Sequence, residues 1–251
     1  MTDSAEVINV FWTGGMDSTF NLIKKLKSTS KFVRPHYIVR HEESTGREID
    51  AMISIRRALV KKFPEIKSRF LPTTYTNEDD IPHYKEIDDE IEELRKSIRV
   101  HEQYQIMAYY CKRFDIDKID VCYELSIDDQ LHNGLYLSRL FGKKGPFQSF
   151  ENPFESLTKM DCYLEAKEKN WHPFLEMTSF CRRPKKKSGK PCGVCGPCID
   201  VAMEGLGFRL PYFARIKAKA QIPIRRYWRK NFLRHDKGLF KMINKNLIGK
   251  L

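Results

Sequence analysis

No apolar run in this chain is long enough to cross a bilayer. The opening Met1-Thr2-Asp3-Ser4-Ala5-Glu6 lacks the basic start and apolar stretch of a secretory leader. These absences set the expectation of a cytoplasmic protein with no membrane partner. There is no internal repeat, and no Gly-Lys-Ser/Thr follows any glycine turn, which excludes a Walker A loop. Acid is scarce at one end: from Arg209 to Leu251, Asp236 stands alone against thirteen Lys and Arg. The net charge of +12 therefore belongs to the C-terminal tail, and the residues before it are neutral overall. The seven cysteines are an odd number, and four of them cluster late. In a reducing compartment that pattern points to metal ligands rather than disulfides. With 251 residues, 41% of them hydrophobic, the chain has enough apolar side chains for one large α/β domain with a small appendage.

The most informative stretch is Phe11-Trp12-Thr13-Gly14-Gly15-Met16-Asp17-Ser18-Thr19-Phe20. Val7 to Trp12 reads as an apolar strand interrupted only by Asn9. Thr13, Gly14 and Gly15 make a tight turn, and a helical period follows with Phe20, Ile23 and Leu26 on one face. Strand, glycine turn and helix start together form a cradle for phosphate. Glycine lets the backbone approach an anion, and the free N–H groups of the first helical turn point at it. The hydroxyls of Thr13, Ser18 and Thr19 would add donors. Asp17 would either help hold Mg2+ or cap the helix.

Down the chain, Phe32 to Val39 reads as a second strand and Ile49 to Phe63 as a helix with Met52, Ile55 and Leu59 inward. A third strand is expected at Arg69 to Thr73. The acidic interval Glu78 to Glu93 reads as a solvated face ending in a helix with Ile87, Ile91 and Leu94 on one side. Further expectations are a helix from Arg99 to Phe114, a strand from Lys118 to Tyr123 and a helix from Ser126 to Leu140. Gly142 to Pro153 reads as loop-like, with a short strand as the alternative, and a helix starts at Thr158 with Asp161 completing a capping box. Strand–helix alternation of this kind predicts a parallel sheet with right-handed crossovers.

Cys181, Cys192, Cys195 and Cys198 follow the pattern C-x10-C-x2-C-x2-C. Two C-x2-C steps let thiolates from one turn meet a single ion, and Gly193 and Gly196 free the backbone for such knuckles. An all-cysteine set is closed, so the expected ion is structural Zn2+ rather than a catalytic one. An iron–sulfur cluster is the competing occupant. Cys111, Cys122 and Cys162 read as core fillers. The expected organisation is an α/β ATP-binding domain over 1–177, a zinc-binding segment over 178–205 and a basic tail over 206–251.

Thr13-Gly14-Gly15-Met16-Asp17-Ser18 resembles the pyrophosphate loop (PP-loop) S-G-G-x-D-S of the N-type ATP pyrophosphatases, with Thr13 in place of the first Ser. Joined to the late cysteine set, it resembles the 7-cyano-7-deazaguanine synthase family of queuosine biosynthesis. Further similarities are Asn152-Pro153 with Leu157-Thr158-Lys159, the approach Thr178-Ser179-Phe180-Cys181, and the end Cys192-Gly193-Val194-Cys195 with Cys198. The similarity runs from about Val7 to about Val201. The middle of the chain differs: the family's substrate-contacting run after the fourth strand has no counterpart in Glu124 to Arg139.

The resemblance implies a Rossmann-like fold of the adenine nucleotide alpha hydrolase-like type, with helices on both faces of the sheet. It implies an AMP-forming ligase that adenylates a carboxylate of the 7-carboxy-7-deazaguanine type with ATP and converts it, with ammonia, to amide and nitrile. In that scheme Phe11, Thr13, Gly14, Gly15, Asp17, Ser18 and Thr19 bind the nucleotide. Asp17 and Ser18 take part in catalysis, Arg99 meets phosphate or carboxylate, and His41 contacts nucleotide or moves a proton. Three alternatives stay open. One is a specialised relative that joins such an acid to a macromolecular amine. Another is a tRNA- or DNA-modifying ATPase of the same loop type. The third is a non-catalytic nucleotide-binding module. In the tail, Tyr227, Trp228 and Phe232 alternate with Arg225, Arg226, Arg229 and Lys230, a pattern suited to nucleic acid. Equally, Ile222, Ile224, Trp228 and Phe232 form a stripe suited to docking on the domain or, in a homodimer, on a second subunit.

Overall fold

The computed structural model describes residues 6–96, 100–122, 141–154, 157–185 and 188–232, with side chains described as far as residue 227. Arg99, Tyr123 at the end of the fourth expected strand, the helix from Ser126 to Leu140, the side chains of Trp228, Arg229, Lys230 and Phe232, and the tail beyond residue 232 lie outside the described residues. Among those described, five strands form one sheet: β1 (Val7–Phe11), β2 (Phe32–Val39), β3 (Thr74–Asn77), β4 (Ile119–Asp120) and β5 (Phe150–Glu151). Every pairing is parallel, and the order across the sheet is β3-β2-β1-β4-β5. The helices are α1 (Met16–Ser28), α2 (Thr45–Lys62), α3 (Lys85–Arg95), α4 (Glu102–Arg113), α5 (Lys159–Glu168), α6 (His172–Glu176), α7 (Gly196–Met203) and α8 (Tyr212–Phe232).

The alternation of β1 sorts these helices onto two faces. Val10 and Trp12 join a core with α1, α2, α5 and α6, built around Phe20, Leu22, Ile23, Met52, Ile55 and Leu59. Phe11 points the other way, into a second core with Ile87 and Ile91 of α3 and Tyr104, Ala108 and Tyr110 of α4. The acidic interval thus keeps its charges outside but buries Ile87 and Ile91. Thr158 and Asp161 form the expected capping box, with Asp161 N donating to Thr158 Oγ1 at 3.2 Å and Thr158 N to Asp161 Oδ2 at 2.9 Å. Cys111 and Cys162 are buried, as core fillers should be.

The third strand is displaced from the expected Arg69–Thr73 to Thr74–Asn77. Phe70 makes only an isolated parallel bridge to Val33. Pro72 lies between that bridge and the strand, and with no N–H it donates no ladder hydrogen bond there. The fourth strand is shorter than expected, at two residues.

Asn9, the polar interruption in β1, has a clear role. Its Nδ2 donates to Lys118 O at 3.2 Å, which leaves Oδ1 to accept from His36 Nε2 at 3.0 Å. The Tyr110 hydroxyl then donates to His36 Nδ1 at 2.7 Å. One chain of hydrogen bonds thereby links β1, β2, α4 and the approach to β4. At the next turn, Asp120 is buried beneath α1, where Asn21 Nδ2 donates to it at 2.8 Å and Lys25 pairs with it at 3.1 Å. The first network satisfies polar groups that would otherwise be costly to bury, whereas the second pairs the Asp120 carboxylate but leaves Asn21 Oδ1 without a partner among the described residues.

Burial, with a smaller contribution from Arg34, pulls His36 down from its ordinary 6.5 to about 4. Above pH 6.5 both folded and unfolded chains hold this ring neutral. Below it the unfolded chain takes up a proton that the folded chain refuses until about pH 4, so stability is lost as pH falls through that window. The loss from this one group is on the order of 3 kcal/mol when complete. Denaturant titrations should therefore show a shallower pH slope between 6.5 and 5 for His36→Gln than for wild type. Equal slopes would assign the titration elsewhere.

Candidate functional site

The glycine turn lies at the C-terminal edge of the sheet, where β1 stands between β2 and β4 and the strand order reverses. In open parallel sheets this crevice is where ligands bind. Gly14 has φ +66, and a Cβ there would come within 2.7 Å of the Glu48 carbonyl oxygen of α2. Only glycine meets both demands. The turn is also held from outside: Ser179 N donates to Gly14 O at 2.9 Å, so the segment leading to the cysteines is hydrogen-bonded to the turn. Within the turn, Thr13 N donates to Ser18 Oγ at 3.3 Å. Gly15 is the N-cap of α1, and Asp17 sits in its first helical turn.

A cavity of about 510 Å³ opens over this edge. Thr13, Gly15, Asp17 and Ser18 line it on the turn side. Phe11, Ile38, Tyr104 and Met107 give it an apolar wall, and Arg40 and Arg182 line it together with Glu42, Glu48 and Glu102, Arg40 being paired with Glu42 and Glu102. Polar turn, apolar wall and cations together suit a ligand with a flat apolar end and an anionic end.

The expected site residues fall into three groups. Phe11, Thr13, Gly15, Asp17 and Ser18 are brought together around the cavity. Gly14 and Thr19 lie behind its wall. Thr19 is fully buried, and its hydroxyl accepts from Trp12 Nε1 at 2.9 Å, so it braces the turn from inside rather than facing a phosphate. This corrects the expectation that it donates. His41 is also corrected. Its side chain is 82% exposed and hydrogen-bonds Asp79 Oδ2 at 2.8 Å, away from the turn. The hydrogen bond to Asp79 and that residue's charge raise its proton affinity. The neighbouring Arg40, one residue earlier, is the side chain that reaches the cavity, where Glu78 accepts from its Nε at 3.0 Å. Its position at the end of β2 was the available signal, since strand C-termini line the crevice.

Beneath the turn lies a charged cluster that periodicity could not reveal. Asp17 Oδ1 is buried and has no hydrogen-bond partner among the described residues. Lys159, at the start of α5, stands 3.4 Å from Glu204 Oε2. Burial lowers the proton affinity of Lys159, but the charges of Asp17, Glu204 and Asp200 outweigh it and the balance is upward. Burial pushes the Glu204 carboxyl up to about 7, with Asp17 and Asp200 adding to it and Lys159 opposing. Arg209 packs nearby, with Nη2 donating to Thr178 Oγ1 at 2.6 Å and to Leu175 O at 3.0 Å.

The four late cysteines converge. Their sulfurs all lie within 4.8 Å of one another, with Cys195–Cys198 at 3.4 Å, Cys181–Cys195 at 3.8 Å and Cys192–Cys198 at 4.0 Å. Four thiolates at about 2.3 Å from a tetrahedral zinc would be about 3.8 Å apart. Backbone amides already point at the sulfurs: Cys192 N donates to Cys181 Sγ at 3.3 Å, and Cys195 N to Cys192 Sγ at 3.4 Å. This donor set can bind a metal ion such as zinc, and it offers no fifth side chain for chemistry. Gly193, with φ +78, lets the knuckle touch α8, where a Cβ would lie 2.3 Å from Ala214 O. Burial pushes the Cys181 thiol up to about 11, so metal entry must displace protons.

Two outcomes follow. Chelation of the bound metal, or Cys198→Ser, should lower the melting temperature by about 10 °C or more. An unchanged melt would mean that the cluster contributes no folding energy. Thr19→Val should cost about 1–3 kcal/mol in a denaturant titration, because it strands the buried Trp12 N–H. Thr19→Ser should recover most of that loss, and no recovery would refute the bracing role.

Compared with known proteins, the chain matches no family model, and no curated protein matches it.

Proposed function

We propose that this chain is an ATP-dependent, AMP-forming ligase with a Rossmann-like fold, acting on a carboxylate of the 7-carboxy-7-deazaguanine type. The observation that carries the reading is the unpartnered, buried Asp17 oxygen beside a glycine turn that opens a helix in the crevice of a parallel sheet. A buried carboxylate oxygen without a partner needs a ligand to explain it. In an ATP complex Asp17 would hold Mg2+, which supplies charge neutralisation for the leaving pyrophosphate.

In this reading the adenine lies against the apolar wall of Phe11, Ile38 and Met107, and the phosphates lie over the turn. Backbone N–H groups at the start of α1 and the Ser18 hydroxyl receive the β- and γ-phosphates. A carboxylate oxygen of the substrate attacks the α-phosphorus, and the bond to the bridging oxygen breaks. Pyrophosphate departs with that electron pair. Arg182 and Arg40, which line the cavity, and Lys159 behind the turn would stabilise the developing charge, Arg40 on leaving its glutamate partners. The acyl-adenylate then meets an amine, the C–N bond forms, AMP leaves with the carboxyl oxygen and its electron pair, and the nitrogen gives up one proton to solvent. With ammonia the product is an amide. A second adenylation, on the amide oxygen, and loss of AMP give the nitrile. Positioning and charge neutralisation are what the protein contributes.

A second reading changes only the amine, to one borne by a macromolecule. It is favoured by α8, which carries exposed Tyr212, Phe213 and Tyr227 among Lys and Arg and has no acidic residue.

Mass spectrometry of a reaction containing ATP, magnesium, 7-carboxy-7-deazaguanine and ammonia tests the reading. AMP together with an amide or nitrile product is expected from wild type. Asp17→Asn should slow AMP release by about 100-fold or more while leaving the melt unchanged. AMP formation at the wild-type rate in Asp17→Asn would refute the assigned role. No small product from wild type, but a mass addition on a supplied protein or RNA, would favour the second reading.

A further inference from the structure

The charged cluster beneath the turn is built partly by the helix that carries two of the four late cysteines. Helix α7 has Cys195 as its N-cap, carries Cys198 in its first turn and ends at Glu204, whose N–H donates to Asp200 O at 2.9 Å. One short helix therefore has two cysteine ligands at its start and a buried carboxylate at its end. The end is pressed against α5. Gly205, with φ +82, turns the chain there, and a Cβ on it would lie 2.5 Å from Met160 Cε, one residue beyond Lys159. Glu204 is 7% exposed and reaches Lys159 Nζ at 3.4 Å. Asp17 and Asp200 are the other acids that act on this lysine. A buried carboxylate is expensive unless it is paired, so its placement asks for an explanation beyond packing.

We propose that Glu204 is a positioning residue: from the end of the helix rooted in the cysteine centre, its carboxylate holds the Lys159 ammonium beside Asp17 and so aims it at the phosphate turn. The four-cysteine centre and the ATP site are then set by one element. The metal's role is to fix the origin of α7, and Glu204 carries that origin to the site. The catalytic part of this inference rests on the ligase reading above, whereas the placement of Lys159 does not. Helix α8 supports the same frame from the other side, with Arg225 Nη2 donating to Asp200 Oδ2 at 2.9 Å.

The test compares wild type, Glu204→Gln and Glu204→Asp, each as the full metal-loaded chain. The metal-to-protein ratio serves as the control for the cysteine centre. The first readout is the rate of Lys159 acetylation by N-acetoxysuccinimide, followed by peptide mass spectrometry. In wild type the paired ammonium should react slowly. Glu204→Gln should acetylate Lys159 about tenfold faster with unchanged metal content, because the lysine loses its counter-charge. Glu204→Asp keeps the charge but shortens its reach, and should fall between the two. The second readout is AMP release. In Glu204→Gln, kcat should fall about tenfold or more while KM for ATP changes less than twofold, the mark of an interaction made chiefly in the transition state.

Lys159 acetylation at the wild-type rate in both variants would overturn the positioning role. A fall in kcat accompanied by loss of metal would also overturn it, by making Glu204 a support for the cysteine centre alone. If Glu204→Gln does not fold, the acetylation rate in Glu204→Asp decides. If wild type forms no AMP, the ligase reading fails while the acetylation comparison still decides the placement.

Discussion

The site depends on the close approach at Gly14. Its backbone is pressed onto the Glu48 carbonyl of α2, and its own carbonyl accepts the Ser179 amide at 2.9 Å. Three parts of the chain distant in sequence meet at this residue: the turn after β1, the start of α2 and the approach to the cysteines. A side chain at Gly14 would push α2 away, and a shift of Ser179 would release the turn. The shape of the cradle is therefore a tertiary property. The local sequence permits it, and the cysteine segment holds it.

Two kinds of polar burial surround that point, and they do different work. The chain from Tyr110 through His36 and Asn9 to Lys118 O is neutral and fully paired, and it fixes how β1, β2 and α4 sit on one another. The group of Asp17, Lys159, Glu204 and Arg209 is charged, and two of its oxygens, Asp17 Oδ1 and Glu204 Oε2, have no hydrogen-bond partner among the described residues, the second being met only by the Lys159 ion pair at 3.4 Å. Neutral, satisfied networks specify a fold. A charged group with an open acceptor stores the capacity to bind a cation or to respond to an anionic ligand, at a cost in stability.

The parts of this account legible in the sequence are those governed by local rules. Val7–Phe11 and Phe32–Val39 could be read from apolar runs, and the Thr158–Asp161 box from cap spacing. The cysteine set could be read from its C-x2-C steps, because thiolates two residues apart have few other uses in such a pattern. What escaped depends on long-range placement. Thr19 looks like a donor to phosphate because it follows Ser18, yet one helical step turns it inward to Trp12. His41 looks like a site residue because it follows a strand, but it is the neighbouring Arg40 that lines the crevice. Lys159 stands out in the sequence only through the resemblance of Leu157-Thr158-Lys159, and Glu204 carries no signal beyond an ordinary helix end, since their pairing arises only where α5 and α7 converge. The third strand begins at Thr74, beyond the Arg69–Thr73 pattern, with Pro72 and its missing N–H lying before it.

The central claim is that the turn binds the pyrophosphate portion of ATP and that the cysteine segment holds it in shape. Calorimetric titration with magnesium, before and after metal removal from the cysteine centre, tests both halves at once. The account predicts that ATP and inorganic pyrophosphate compete for one site, that AMP binds at least about tenfold more weakly than ATP, and that chelated protein loses the ATP signal. ATP and AMP binding with equal affinity, or ATP binding undiminished in chelated and still folded protein, would contradict it.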